Sequence, residues 1–178
     1  LFIGLVAPAI GLLFGTLAGM TAGYFRGRYD QWVVGGVDVL LAFPPLVLAL
    51  AVTAYLGQSV LNLTLILGFI GIPAFTRVAR AATLVFAQRE FVTAARALGA
   101  SHARILVHEL LPNVILPLAA FFLIAVAVTI VAESALSFLG LGVPPPRPSW
   151  GSMIAEGRES LDSAAWLAFI PAVVMFLT

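Results

Sequence analysis

The sequence predicts an all-α integral membrane protein, a helical bundle of five visible transmembrane spans. Three observations carry this prediction. The 178 residues are 62% hydrophobic and only 10% charged, whereas soluble domains carry about 25% charged residues. A soluble core of this size has no room for so much apolar surface. The apolar residues also fall in runs near span length, divided by short stretches rich in Arg, Pro and Gly, as a hydrocarbon layer about 30 Å thick requires. The absence of cysteine excludes disulfides, thiolate metal sites and cysteine nucleophiles.

Span one covers about residues 1–23. It has no basic region before it and is too long for a secretory signal core, so it reads as a span. Gly11, Gly15, Gly19 and Gly23 recur every four residues, which puts a stripe of small residues on one helix face and lets another helix approach closely. Residues 24–32, YFRGRYDQW, form a polar loop flanked by interfacial aromatics. Span two, about 33–56, holds Asp38 and is broken at Pro44-Pro45. Residues 57–62 are a turn, and span three runs from about 61 to 75, with a kink expected at Pro73. Arg77 and Arg80 then open a long polar-faced segment to Leu111, and span four covers about 112–132. The stretch 133–163 is too rich in Pro and Gly to span and reads as a loop of about that extent. A fifth span starts near Ala164. Both ends of the sequence lie in apolar runs, so the domain, 1–178, is expected to be truncated at both ends, with six spans in the parent chain.

Arginine sets the orientation, since all nine basic residues are arginine. With 24–32 in the cytoplasm, Arg26, Arg28, Arg77, Arg80, Arg89, Arg96 and Arg104 lie inside, and only Arg147 and Arg158 lie outside. That asymmetry follows the positive-inside rule. The longest inside loop contains an unusual passage, EFVTAARALGASHARILVHELLPN (90–113), which holds both histidines. Glu90 to Leu98 is rich in helix formers, with Glu90 suited to the positive end of a helix dipole. Gly99 fits the left-handed position just past a helix end, Ser101 fits the N-cap of a second short helix to Leu110, and Pro112 fits the first turn of the next span. The predicted loop is thus helix, Gly turn, helix, membrane. Ala94, Ala95 and Ala97 leave a surface on which a partner can come close to the backbone.

Thr93-Ala94-Ala95-x3-Gly99, followed by Leu111-Pro112, resembles the "EAA" loop of permease subunits in binding-protein-dependent ABC importers of type I. Thr93 stands where that motif has Glu, and Glu109 where it has Ile. Further stretches, DVLLAFPPLVLAL (38–50), ARALGAS (95–101), LPN (111–113) and ESALSFLGLGVPPPRPSWGSMIAEGR (133–158), are similar to the dipeptide, oligopeptide and nickel subgroup, the last being the most specific. The resemblance implies that the loop of about 88–112 is a cytoplasmic coupling helix. It would dock on an ABC ATPase subunit through Glu90, Thr93, Ala94, Ala95, Arg96, Leu98, Gly99, Ala100 and Ser101. It further implies a second permease subunit, expected as a heterodimer, an extracytoplasmic solute-binding protein, and a multi-pass place in a bacterial or archaeal inner membrane. The external loop 133–163, with Glu133, Glu156, Glu159 and Asp162, is a candidate docking surface for the binding protein, set against a plain solvated loop.

ATP chemistry is expected on the partner, with no cofactor on this chain. A phosphate loop of the form G-x4-G-K-[S/T] is impossible without lysine, so the chain is not expected to be an enzyme. Nucleic acid is not an expected partner; the lipid bilayer is. Asp38 is the acid within a span, and such a carboxylate is a functional candidate by default. Its position near the cytoplasmic boundary favours pairing with Arg26, Arg28 or another subunit over contact with solute. Glu133, at the outer end of span four, either faces the translocation path or marks the membrane surface. His102 and His108 are six apart and do not share a helix face, which disfavours a metal site. The alternative functional reading, a secondary transporter or channel, would favour acids or polar groups near mid-membrane, where this chain has almost none. The cargo is expected to be a di- or oligopeptide, nickel or another small solute.

Overall fold

The computed structural model describes residues 1–177, and every regular element among them is helical. The order is α1 (Phe2–Phe25), α2 (Gly27–Leu41), α3 (Pro45–Leu56), α4 (Val60–Phe86), α5 (Glu90–Ala97), α6 (His102–Arg104), a π-helical segment (Ile105–Leu110), α7 (Leu111–Phe138), α8 (Trp150–Arg158), α9 (Leu161–Ala164) and α10 (Trp166–Leu177). The chain forms two compact units. One comprises Leu1–Pro8, Phe43–Ile70 and the described residues from Ala125 onward; the other comprises Ala9–Ala42 and Gly71–Ile124.

In the second unit the glycine stripe does what its spacing predicts. A Cβ built on Gly15 would lie 2.5 Å from Phe75 Cβ and 2.8 Å from the Ile72 carbonyl oxygen, and one on Gly19 would lie 2.9 Å from the Arg80 nitrogen. Those atoms belong largely to the α4 backbone, so α1 rests on α4 with nothing between them. Each step of four along α1 advances the contact by about three residues along α4, from Gly71 and Phe75 opposite Gly11 to Arg80 and Thr83 opposite Gly23. The two helices therefore run parallel. Phe75, 1% exposed, also meets Phe121 of α7 edge to face at 5.0 Å.

Parallel packing has a topological consequence. Helix α4, at 27 residues, is about 40 Å long. For α1 and α4 to point the same way, residues 26–59 must carry the chain back along that length. Within that segment α2 and α3 are separated by a sharp bend of 77° at the break before Pro45, where Pro44 takes an extended ψ of 121°. Together the two helices have the length and apolar character of one broken span.

The first unit has its own core. Ile3 and Ala7 of α1, Ala49 of α3, Leu63, Ile66 and Leu67 of α4 and Leu136 of α7 are packed together and buried. The Gln58 side-chain amide donates to the Gly140 carbonyl at 2.6 Å, joining the turn after α3 to the turn after α7. Gly151 of α8 lies directly against the Ser134 backbone.

Several boundaries differ from the sequence reading. Three helical stretches, Phe2–Phe25, Val60–Phe86 and His102–Phe138, are long and apolar enough to cross a membrane, and the number is four where the bent α2–α3 pair is counted as one span. The predicted fifth span is α10, whose 12 described residues reach about 18 Å; its last predicted residue, Thr178, lies outside the described residues. Span three does not end at Phe75: α4 continues eleven residues to Phe86, because Arg77 and Arg80 are neutralised by acids of α2 instead of needing a loop. Pro73 is carried inside α4 without ending it. The stretch 133–163 is not simply a loop. Residues 133–138 complete α7, and α8 starts at a capping box in which Ser149 and Ser152 exchange hydrogen bonds with each other's backbone.

Candidate functional site

The predicted hairpin forms, and its local chemistry explains why. Glu90 is the first residue of α5, where its charge suits the helix dipole. The helix ends in a Schellman motif: the Gly99 N–H donates to the Arg96 carbonyl and the Ala100 N–H to the Ala95 carbonyl, both at 3.0 Å. Gly99 has φ of 79°, a conformation that costs a residue with a Cβ and costs glycine nothing. Ser101 is extended at ψ 156° and its hydroxyl accepts the Arg104 N–H at 3.3 Å, an N-cap.

Beyond Ser101 the structure departs from the prediction. The second limb is not a separate short helix. Through the π-helical segment Ile105–Leu110 it runs on into α7, so His102–Phe138 is one stretch of 37 residues. Pro112 lies inside this stretch instead of opening a new helix.

Val92 on the first limb and Ile105 and Leu110 on the second are 0% exposed, and α5 packs on the π-helical segment. This small core holds the two limbs of the hairpin together and leaves its outer surface exposed. Glu90, Thr93, Ala94, Arg96, Leu98, Gly99 and Ser101 are exposed on it, while Ala95 and Ala100 are half-buried and hold the turn. All nine predicted interface residues thus fall on one feature. Leu98 is 88% exposed at the tip.

The other two predicted site residues lie apart from the hairpin tip. Asp38 does not pair with Arg26 or Arg28. Its carboxylate accepts from Arg77 at 2.6 Å, because α4 extends past Phe75 and carries Arg77 alongside α2. Both side chains are more than half exposed. Glu133 is buried, 9% exposed, which removes the surface-marker reading. Its carboxylate accepts the Ser137 hydroxyl at 2.7 Å, and the Ser137 oxygen accepts the Val143 N–H at 3.2 Å. Glu133 therefore ties the chain after α7 back to the helix. It also borders a cavity of about 550 Å³ together with Ile3, Ile130, Arg147, Trp150 and Met153.

Sequence reasoning missed two long-range groupings. Asp30 takes a bidentate pair from Arg80, at 2.5 and 2.6 Å, with side chains only 14% and 32% exposed. Tyr24, near the end of α1, bonds through its hydroxyl to His102 Nδ1 at 2.9 Å, and the Arg96 guanidinium sits 5.1 Å above its ring. The partners are 50 and 78 positions apart, and no local pattern encodes such pairings. The available signal was coarse: segments 24–32 and 77–111 were both assigned to the arginine-rich side.

Several long apolar helices and a hairpin built between two of them define a polytopic α-helical membrane protein. The family model for the binding-protein-dependent transport system inner membrane component matches residues 12–178, and the chain belongs to that family. Among curated proteins it is 37% identical over 175 residues to the glutathione transport system permease protein GsiD of Pectobacterium atrosepticum. It is 41% identical over 175 residues to the proteins of that name from Escherichia coli O6:K15:H31 and Shigella boydii serotype 4. Each match covers 98% of this chain and 58% of the relative, so the chain spans rather more than half the length of these proteins.

Proposed function

We propose that the chain is the permease subunit of an importer driven by a separate ABC ATPase, and that the hairpin of about 88–112 is its ATPase dock. The observation that carries the reading is the hairpin tip: an exposed Leu98 beside a Schellman turn, held from below by fully buried Val92 and Ile105. An apolar side chain on a rigid, small-residue surface suits insertion into a cleft of another protein. Alternating access would then be driven by the ATPases, with ATP and Mg²⁺ bound there and a second permease subunit completing the path. An extracytoplasmic binding protein would deliver the solute.

The membrane is proposed to be a bacterial or archaeal inner membrane, with 24–32 and 77–111 facing the cytoplasm. The arginine distribution supports this orientation, as does the parallel course of α1 and α4, which requires one return crossing between them. For cargo, the proposal is a small peptide. Glutathione, named for the relatives, is the first solute to test, followed by di- and oligopeptides and nickel complexes.

The deciding experiment is Gly99→Asp. A Cβ at φ 79° strains the turn, and a charge beside Leu98 opposes docking. The variant is expected to insert normally and to lose the ATPase on co-purification. Co-purification of the ATPase at wild-type yield would overturn the docking reading.

A further inference from the structure

The aromatic cluster at the end of α1 touches the hairpin on both sides of its turn. Tyr24 is 6% exposed. Its ring face carries Arg96, which belongs to the first limb, at 5.1 Å. Its hydroxyl bonds His102, the first residue of the second limb, at 2.9 Å. The Phe25 ring meets His102 edge-on at 5.7 Å and Tyr29 at 6.4 Å, and the Tyr29 hydroxyl is 3.0 Å from the Thr21 hydroxyl, one turn back on α1. At Gly15 and Gly19 the same helix lies directly against the α4 backbone. A displacement of either limb must therefore break the Tyr24 contacts or take α1 with it.

We propose that Tyr24 is a positioning residue for energy coupling: it fastens both limbs of the hairpin to α1, so that movement of the docked hairpin moves that helix. The inference rests on the hairpin being the ATPase dock, and it adds the route by which motion leaves the dock. The chemistry favours a fastener over a filler. A filler needs only apolar contact, whereas Tyr24 uses a cation–π contact to one limb and a directional hydrogen bond to the other. The pair also spans Gly99, the one point in the hairpin where the backbone turns through a left-handed residue. Separate motion of the limbs about that turn is what the two contacts oppose.

The test uses the complete transporter in proteoliposomes. The chain has no cysteine, so Leu17→Cys on α1, at a position 58% exposed, gives it a single spin-label site once cysteines of the partner subunits are replaced. The readout is the change in label mobility when ATP is trapped with vanadate. It needs no knowledge of the cargo. The parent complex is expected to show a change. Tyr24→Leu, which removes both contacts, is expected to keep the ATPase bound and hydrolysing while the mobility change shrinks about fivefold or more, the lower range of coupling between linked sites. Tyr24→Phe keeps the ring under Arg96 and loses the bond to His102, so it is expected to give an intermediate response, with His102→Gln restoring nothing further in that background.

No mobility change in the parent, or a full change in Tyr24→Leu with the ATPase bound, overturns the proposal. So does loss of the ATPase in Tyr24→Leu, which would make Tyr24 a support for the dock alone. If Tyr24→Leu fails to insert, Tyr24→Phe decides, and a full response there is the overturning result. Failure of the docking reading shows separately, as ATPase retained by Gly99→Asp.

Discussion

Replacing Gly19 with alanine tests the packing on which the parallel arrangement of α1 and α4 depends. A Cβ at Gly19 would meet the Thr76 carbonyl oxygen, lie 2.8 Å from Ala79 Cβ and lie 2.9 Å from the Arg80 nitrogen. Ordinary carbon contacts begin near ~3.5 Å. The shortfall is over half an ångström, against mainly backbone atoms that cannot rotate away. The helices must separate, and a gap of about 0.5–1 Å forfeits a quarter to a half of each dispersion contact along the seam. Alanine also gains about 1 kcal/mol of helix propensity over glycine, which would mask part of this loss. Gly35 supplies the control: it is also inside a helix, α2, but a Cβ there has nothing within 4 Å. The propensity gain is common to both changes, so the difference between Gly19→Ala and Gly35→Ala isolates packing. It is expected to be about 1–3 kcal/mol, the usual cost of overpacking. Unfolding in mixed detergent micelles by increasing SDS, followed by circular dichroism, measures it. Equal stability of the two variants would refute direct backbone contact along the stripe.

Arg80→Ala should destabilise the protein clearly more than Arg77→Ala in the same assay. The Asp30 partner left behind by the first is 14% exposed and loses two charge-assisted bonds, whereas the Arg77–Asp38 pair is more than half exposed and worth at most about 1 kcal/mol. Equal effects would mean that Asp30 is not held as described. Leu98→Asp should leave stability unchanged within about 0.5 kcal/mol, as for an exposed position, while abolishing ATPase co-purification; retained association at wild-type yield counts against the tip as the contact. Ser101→Ala removes an N-cap and should cost the second limb about 1 kcal/mol, seen as faster amide exchange over residues 102–106 than in α7. Unaltered exchange there would show that the cap contributes nothing.

Much of this architecture is legible from local chemistry, and the failures have a common cause. The glycine stripe, the broken pair at Pro44-Pro45, the Gly99 turn and the Ser101 cap each depend on a few neighbouring residues, and all four are found. The errors arise where a distant partner changes what a residue needs. Arg77 and Arg80 read as the end of a span because a charge in an apolar run calls for water. Asp38 and Asp30, 39 and 50 positions away, supply the counter-charge instead, and α4 continues. The residues 133–138 read as loop because they are grouped with the Pro- and Gly-rich stretch that follows them. They remain helical because Glu133 and Ser137 satisfy each other one turn apart. The Tyr24 cluster was missed for the same reason, since neither Arg96 nor His102 signals in sequence that an aromatic ring waits at the end of another helix.

Pro112 shows how such an exception is built. Inside an α-helix, proline removes one backbone hydrogen bond and its ring presses on the carbonyl four residues earlier, here that of His108. The chain meets this with the wider π-helical turn just before it, in which the Leu111 N–H reaches back five residues to the Leu106 carbonyl. The widened turn lets the helix pass Pro112 unbroken. Without it, Pro112 would kink or break the helix between the hairpin and α7. With it, the 37 residues from His102 to Phe138 form one helical stretch about 55 Å long. On the coupling proposed above, the second limb would pass displacement into this stretch, while Tyr24 would pass it to α1. A partner that moves the tip through a small distance would act on two long helices at once, through one covalent connection and one non-covalent one. Only the non-covalent connection can be cut without breaking a helix, so substitutions at Tyr24 are the ones expected to separate docking from motion.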